Sequence, residues 1–235
     1  MAECTPRPLI VVCAGGLATE LASYVRGLQI DGEPLHLRAF VDDYRYESTF
    51  EGAPLLGGVD DLGTFLAAHP DEEHAYIVAV GDNRTRAEVV RRVERLGATN
   101  LTPWTLRHVT AIVGQAVEIG HGSCLGPGSI VTTRVTIGNH GIVNTNSSVS
   151  HEVTIGPFVN VGPGASICGG VTIGEGCYIG PGATVVDGIQ VGAWSVVGAG
   201  SVVIEDVPSH VTVAGAPARI IQRHGRGLRQ PMLAG

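Results

Sequence analysis

The sequence predicts two folds in series, a small parallel α/β unit followed by a triangular β-solenoid, and three observations carry that prediction. The first hundred or so residues alternate strand-like and helix-like segments. The second half places an aliphatic residue at every sixth position. Aromatic residues are only 5% of the chain, while glycine reaches 34 of its 235 residues. That composition suits a core of small and β-branched side chains on a glycine-punctuated backbone.

In the first part, "LIVVCA" reads as a buried strand, and Gly15 and Gly16 make a tight turn into a helix, "LATELASYVRGL". "LHLRAFVDD" reads as a second strand ending on Asp42 and Asp43. Asp60 and Asp61 are placed to cap a short helix running to His69. "AYIVAV" is a further strand, followed by Gly81-Asp82-Asn83 and an amphipathic helix, "RTRAEVVRRVERLG", with Val89, Val90, Val93 and Leu96 on its apolar face. Strand, turn and helix in succession predict an α/β unit of Rossmann type over residues 1–105.

From Val113 the aliphatic beat runs through Ile119, Leu125, Val131, Ile137, Val143, Val149, Ile155, Val161, Ile167, Ile173, Ile179, Val185, Val191 and Val197 to Val203 without an insertion. A longer beat is superimposed: "VEIG", "VTIG", "VTIG", "VTIG" and "IQVG" begin at Val117, Val135, Val153, Val171 and Ile189. A hexad nested in an eighteen-residue beat predicts three short strands per coil, each turning one aliphatic inward; neither a heptad helix nor a hairpin has that spacing. Each buried aliphatic contributes roughly 1.5–3 kcal/mol of transfer free energy, so the columns make a viable core. The glycine that often follows the aliphatic is expected to allow positive φ at the corners. The solenoid is assigned to residues 106–210, with a closing segment and tail over 211–235.

The net charge of −7 gives no electrostatic support for nucleic-acid binding. Cys4, Cys13, Cys124, Cys168 and Cys177 show no CxxC spacing, so reduced, structurally buried thiols are expected. The opening "MAECTPRPLIVVCAGG" resembles neither a secretory signal nor a membrane span, and a soluble cytoplasmic protein is the expectation.

The hexad repeat resembles the left-handed parallel β-helix of the hexapeptide-repeat acyltransferases, and "VAGAPARII" (residues 213–221) is similar to the segment that closes the solenoid in that family. With the preceding α/β unit, the match narrows to the subfamily of sialic acid O-acetyltransferases and bacillosamine-pathway nucleotide-amino-sugar N-acetyltransferases. The resemblance implies a homotrimer, an acyl-CoA donor (acetyl-CoA) bound between adjacent solenoids and a nucleotide-linked sugar acceptor. It excludes only the tail "HGRGLRQPMLAG", expected to be frayed.

One residue pair departs from the repeat. His151 and Glu152 occupy a corner where the preceding coil carries Thr133 and Arg134, and the following coils carry Gly169-Gly170 and Asp187-Gly188. From the residues alone, an exposed corner tolerates any polar pair. The resemblance makes His151 the general base and Glu152 its carboxylate partner, because imidazole accepts a proton near neutrality and a carboxylate fixes its tautomer. A backbone N–H such as that of Gly169 is the candidate oxyanion donor. The resemblance further implies acyl-CoA contacts at Asn160, Gly169, Gly180, Gly198, Ala216, Pro217 and Arg219. Asn160 departs from a histidine found in some relatives.

For the acceptor, the resemblance implies Gly15, Gly16, Leu17, Asp42, Asp43, Gly81, Asn83 and Arg86. Leu17 departs from a histidine common at that turn, which makes the acceptor pocket less polar. His108, His121, His140 and His151 do not reproduce the spacing of the three-histidine metal sites found in some solenoids. Acylation of an amine, acylation of a hydroxyl and a weakly catalytic binding scaffold all remain open from the residues.

Overall fold

The computed structural model describes residues 6–27, 30–31 and 34–225. They form two compact units, Met1–Gly81 with Thr85–Leu106, and Asp82–Arg84 with Arg107–Gly235.

The first unit is a four-stranded parallel sheet in the order Leu35–Val41, Arg7–Val12, His74–Val78, Leu101–Pro103. The strand Arg7–Val12 buries Leu9, Ile10 and Val11 at 0% exposure, while Arg7 and Pro8 at its start are half-buried. Three helices accompany the sheet: α1 (Gly16–Arg26), α2 (Val59–Ala68) and α3 (Asn83–Glu94). Helix α1 buries Ala18, Leu21, Ala22 and Val25, the stripe that a 3.6-residue period requires. At the start of α2, Asp61 accepts the Gly58 N–H at 2.8 Å and Asp43 accepts the Val59 N–H at 3.2 Å, so one cap comes from a different segment than expected. The strand Leu101–Pro103 was not legible in the sequence: it is three residues long and ends in proline, tolerable on an edge strand.

The sheet order reverses at Arg7–Val12, whose sequence successor lies on one side and whose third-strand partner lies on the other. The carboxyl ends of Arg7–Val12 and His74–Val78 therefore open onto a switch point, where α/β sheets bind ligands. The glycine turn follows the first of these strands and Gly81 follows the second.

The second unit is a parallel β-solenoid. Every hexad aliphatic from Val113 to Val203 closes a two- or three-residue strand. From Leu125 onward these side chains are at most 2% exposed, whereas Val113 and Ile119 in the first coil are only partly buried. Strands stack in parallel with an eighteen-residue step, as in Ile137 on Ile155 and Val149 on Ile167. The "VEIG/VTIG" strands make up one of the three faces.

The glycines that follow the hexad aliphatics serve a different purpose from the one expected. Positive φ falls three residues after each aliphatic, at every corner from Ala116 and Gly122 through to Trp194 and Gly200. Gly138, Gly156, Gly174 and Gly192 are instead required by close approach. A Cβ at Gly138 would lie 2.5 Å from the Pro157 nitrogen, and one at Gly174 would lie 2.6 Å from the Ala193 nitrogen.

The closing segment forms an antiparallel hairpin, Val211–Gly215 with Ala218–Arg223, joined through a cis Ala216–Pro217 peptide. Val211–Gly215 still pairs in parallel with the preceding coil, so it continues a solenoid face beyond residue 210. Asp82–Arg84 belongs to this unit too: the Asn83 amide donates to the Gly176 and Cys177 carbonyls at 3.1 and 2.7 Å, and the Arg84 guanidinium lies 4.7 Å from the Trp194 ring centre. Cys4 and residues 226–235 of the tail lie outside the described residues.

Candidate active site

The corner carrying His151 and Glu152 is built by the solenoid's own register. Its left-handed position is filled in successive coils by Ala116, Arg134, Glu152, Gly170 and Gly188, all with φ between 53° and 72°. A side chain resists that conformation. With φ at 61°, Glu152 turns the backbone so that its carboxylate meets the neighbouring ring, and His151 Nδ1 lies 3.2 Å from Glu152 Oε2. Residues adjacent in a regular strand would point to opposite faces. The other carboxylate oxygen, Oε1, is 3.2 Å from an Arg134 guanidinium nitrogen one coil earlier. His151 and Glu152 are 59% and 54% exposed, so the dyad opens to solvent.

One coil later, Gly169 lies against the imidazole. A Cβ there would stand 2.5 Å from Cε1 and 2.7 Å from Nε2 of His151. The Gly169 N–H, expected as an oxyanion donor, donates to Asp187 Oδ1 at 2.8 Å. That bond occupies the N–H expected to face an oxyanion. Burial and the Asp187 charge push the neighbouring Cys168 thiol above its ordinary pKa, away from nucleophilic chemistry. Cys177 and, in the first unit, Cys13 are pushed up to about 12, in both cases chiefly by burial.

Of the residues expected along the acyl-CoA path, Asn160, Gly180 and Gly198 follow one face of the solenoid coil by coil to the closing hairpin that carries Ala216, Pro217 and Arg219. Asn160 stands in a strand between Ile142 and Tyr178 and is 6% exposed. Gly180 and Gly198 are coil-stacking glycines: a Cβ would meet the Ala199 nitrogen at 2.6 Å in the first case and the Ala214 Cβ at 3.1 Å in the second. Ala216 and Pro217 form the turn of the closing hairpin, and Arg219 pairs with Glu205 at 3.7 Å beside a cavity of about 300 Å³ lined by Val203, Val213 and Ile220.

In the first unit, the structure brings Gly15, Gly16, Leu17, Asp42 and Gly81 to the carboxyl ends of adjacent strands. Gly15 caps α1 with extended backbone, and a Cβ at Gly15, Gly16 or Gly81 would meet nothing within 4 Å. Neither backbone angle nor packing within the fold demands glycine at these three positions. Leu17 is half-buried. Asp42 Oδ2 accepts the Ala14 N–H at 2.8 Å and Oδ1 accepts the Tyr44 N–H at 2.9 Å, which pins the turn. Arg45 pins it from the other side by donating to the Ala14 carbonyl at 2.7 Å.

Three of the residues expected at the acceptor make bonds within the fold. Asp43 pairs with Arg92, which holds its carboxyl below the ordinary carboxylate range. Arg86 is 1% exposed and donates to the Val80 and Gly81 carbonyls at 2.7 and 3.2 Å. Asn83, also 1% exposed, donates to the solenoid carbonyls named above. Buried polar side chains must find partners, and here the backbone supplies them.

Arg134, Asp187 and Arg45 were not singled out from the sequence. The eighteen-residue register places Arg134 and Asp187 in the column of the dyad, but their bonds across coils depend on side-chain reach. Among the described residues, no group of three or more His, Cys, Asp and Glu is disposed to hold a metal ion, and no helix is long and apolar enough to cross a membrane. His121 and His140 are not equivalent in register: the ring of His140 lies over Gly122 and stacks on Phe158, with centroids 5.5 Å apart.

Residues 8–93 match the PglD N-terminal domain, and residues 152–187 and 170–205 match the bacterial transferase hexapeptide (six repeats). The chain is similar to a histidine-to-asparagine mutant of perosamine N-acetyltransferase from Caulobacter crescentus in complex with CoA and GDP-perosamine, at 30% identity over 93% of this chain and 99% of that one, with a TM-score of 0.81. It is similar to the acetyltransferase domain of PglB from Neisseria gonorrhoeae in complex with acetyl coenzyme A, at 32% identity over 92% and 100% of the two chains, with a TM-score of 0.82. WeeI from Acinetobacter baumannii matches at 28% identity over 92% and 100%, with a TM-score of 0.75. No curated protein matches the chain significantly.

Proposed function

Because the chain belongs to the hexapeptide-repeat acyltransferases, among the sugar acetyltransferases with a PglD-type N-terminal domain, we propose that it transfers the acetyl group of acetyl-CoA to the amino group of a nucleotide-linked amino sugar, with His151 as general base. The observation that carries the base assignment is the 3.2 Å contact of His151 Nδ1 with Glu152 Oε2 at an exposed corner. With Nδ1–H donated to the carboxylate, Nε2 keeps its lone pair and is the nitrogen that accepts a proton.

The amine nitrogen attacks the thioester carbonyl, and Nε2 takes the proton the amine loses. The tetrahedral intermediate collapses with cleavage of the carbon–sulfur bond, and the imidazolium returns the proton to the departing thiolate. The products are an amide and free CoA, and Glu152 stabilises the transient imidazolium. No acyl-enzyme is required.

The open glycines of the first unit support nucleotide recognition, since bare backbone at a helix N-terminus admits phosphate closely. Amine acylation is preferred to hydroxyl acylation because an amine is the better nucleophile at neutral pH and because similar structures are N-acetyltransferases. The homotrimer and cytoplasmic location implied by the resemblance belong to the same proposal.

The test is thiol release from acetyl-CoA with a panel of GDP-, UDP- and dTDP-linked amino sugars, with mass spectrometry of the product. A hydroxylamine-stable acetyl group on one sugar is expected. A hydroxylamine-labile product would replace the amine by a hydroxyl, and binding without thiol release from any acceptor would leave a scaffold.

A further inference from the structure

We infer that Arg134 is a positioning residue for the base: it holds one oxygen of Glu152 so that the other faces Nδ1 of His151. The inference rests on the reading of His151 as base and adds to it a residue from a different coil. The two oxygens of Glu152 are divided evenly, Oε1 at 3.2 Å from Arg134 and Oε2 at 3.2 Å from His151.

Both Arg134 and Glu152 occupy the left-handed corner, with φ of 53° and 61°. Two later coils fill the same corner with Gly170 and Gly188, around which a Cβ would find nothing nearer than 3.9 Å. The fold therefore accepts glycine at this place, and the two coils that carry long charged side chains there are consecutive and joined to each other.

Stability does not account for the pair. Arg134 is 65% exposed and Glu152 is 54% exposed, and an ion pair in that setting contributes little because water screens it and two flexible side chains must be ordered. What it does supply is orientation. A half-exposed glutamate on a corner samples several rotamers, and only some of them face its neighbour's ring. A guanidinium, charged at every accessible pH, restricts that sampling.

The measurable consequence is which ring nitrogen of His151 carries the proton. The test is nitrogen-15 imidazole spectroscopy of the full-length protein at alkaline pH, where imidazole is neutral, with the His151 signals assigned by their loss in His151→Ala. Wild type is expected to show the Nδ1–H tautomer. Arg134→Gln is expected to raise the Nε2–H fraction roughly two- to five-fold, the range open to an exposed ion pair. Arg134→Lys is expected to restore most of the wild-type pattern. In a Glu152→Gln background, Arg134→Gln is expected to change nothing further.

A wild-type pattern in Arg134→Gln, or an Nε2–H tautomer in the wild type itself, overturns the inference. Thiol release by His151→Ala at the wild-type rate overturns the base assignment and the role of Arg134 with it. An inactive His151→Ala beside a spectroscopically unchanged Arg134→Gln overturns the inference alone.

Discussion

The imidazole of His151 is seated on the bare backbone of Gly169, one coil later at the same corner: a Cβ on Gly169 would lie 2.5 Å from Cε1 of the ring. Nothing in the left-handed geometry of the solenoid explains glycine there, since the positive φ of that corner belongs to the next residue, Gly170. Gly169→Ala is therefore expected to displace the ring. A shift of about 1 Å costs on the order of 10²-fold in rate, which steady-state thiol release measures. Gly170→Ala, whose Cβ has its nearest neighbour at 3.9 Å, is the control: strained and less stable by about 1 kcal/mol, it should turn over as the wild type does.

Removal of the base has a larger effect. His151→Ala is expected to lower acetyl transfer by ~10²–10⁴ and to leave the unfolding transition in place, because the ring is exposed and the columns of buried aliphatics do not include it. Turnover within a factor of three of wild type (roughly 0.7 kcal/mol on the barrier) is incompatible with the assignment.

Coil stacking makes an independent prediction about stability. At Gly138 and Gly174 a Cβ would lie within 2.6 Å of backbone nitrogen in the next coil, Pro157 N and Ala193 N respectively. Backbone on both sides of the contact cannot swing aside as a side chain can, so Gly174→Ala is expected to cost about 3 kcal/mol by overpacking. A fall in the urea midpoint with unchanged slope would register it.

At the switch point the expectation reverses. Gly15, Gly16 and Gly81 have open space where a Cβ would stand, so alanine there should leave the melting temperature unchanged. Affinity for a nucleotide sugar, with the acceptor identified by the thiol-release panel as the calorimetric probe, should fall at least about ten-fold if phosphate approaches that backbone, which is about 1.4 kcal/mol. Equal affinity for wild type and Gly16→Ala would remove the turn from the binding site.

Asp43 supplies a pH dependence with a defined sign. Its hydrogen bond from Arg92, aided by the Val59 N–H, holds its folded-state pKa below the ordinary carboxylate value. The stability it contributes is then fully present above the unfolded pKa, near ~3.9, and is lost as pH falls through the lower folded value. Asp43→Asn is expected to be less stable than wild type by about 0.5–1 kcal/mol at neutral pH, a modest figure because the pair is partly exposed. That difference should close below about pH 4, as acid titration of the two unfolding midpoints would show.

Periodicity made the solenoid readable residue by residue. Every strand from Ile112–Val113 to Val202–Val203 ends on a hexad aliphatic, because a residue that must point inward once per side of a triangle cannot drift in sequence without breaking the column. Helix α3 was readable for the same reason, from its apolar stripe at helical spacing, and α1 from the glycine turn that precedes it. The strand Leu101–Pro103 and the hairpin Thr49–Phe50 with Ala53–Pro54 were not, being too short to show a period.

Glycine shows where pattern stops being sufficient. A glycine one residue after an aliphatic and a glycine three residues after it look alike in sequence, yet contact with the next coil demands the first, as at Gly138 and Gly174, and a left-handed backbone angle favours the second.

The sequence by itself determined the succession of an α/β unit and a three-sided solenoid, the membership of its inward columns and the singularity of His151 and Glu152, since these follow from spacing along one chain. Only the tertiary structure decided the fate of the polar side chains. It spent Asn83 and Arg86 on backbone carbonyls, closed the Gly169 N–H with Asp187 and brought Arg134 to Glu152. Those outcomes depend on distances of about 3 Å: burial drives Asn83 and Arg86 to backbone acceptors, side-chain reach brings the exposed Arg134 to Glu152, and hydrophobic period encodes neither.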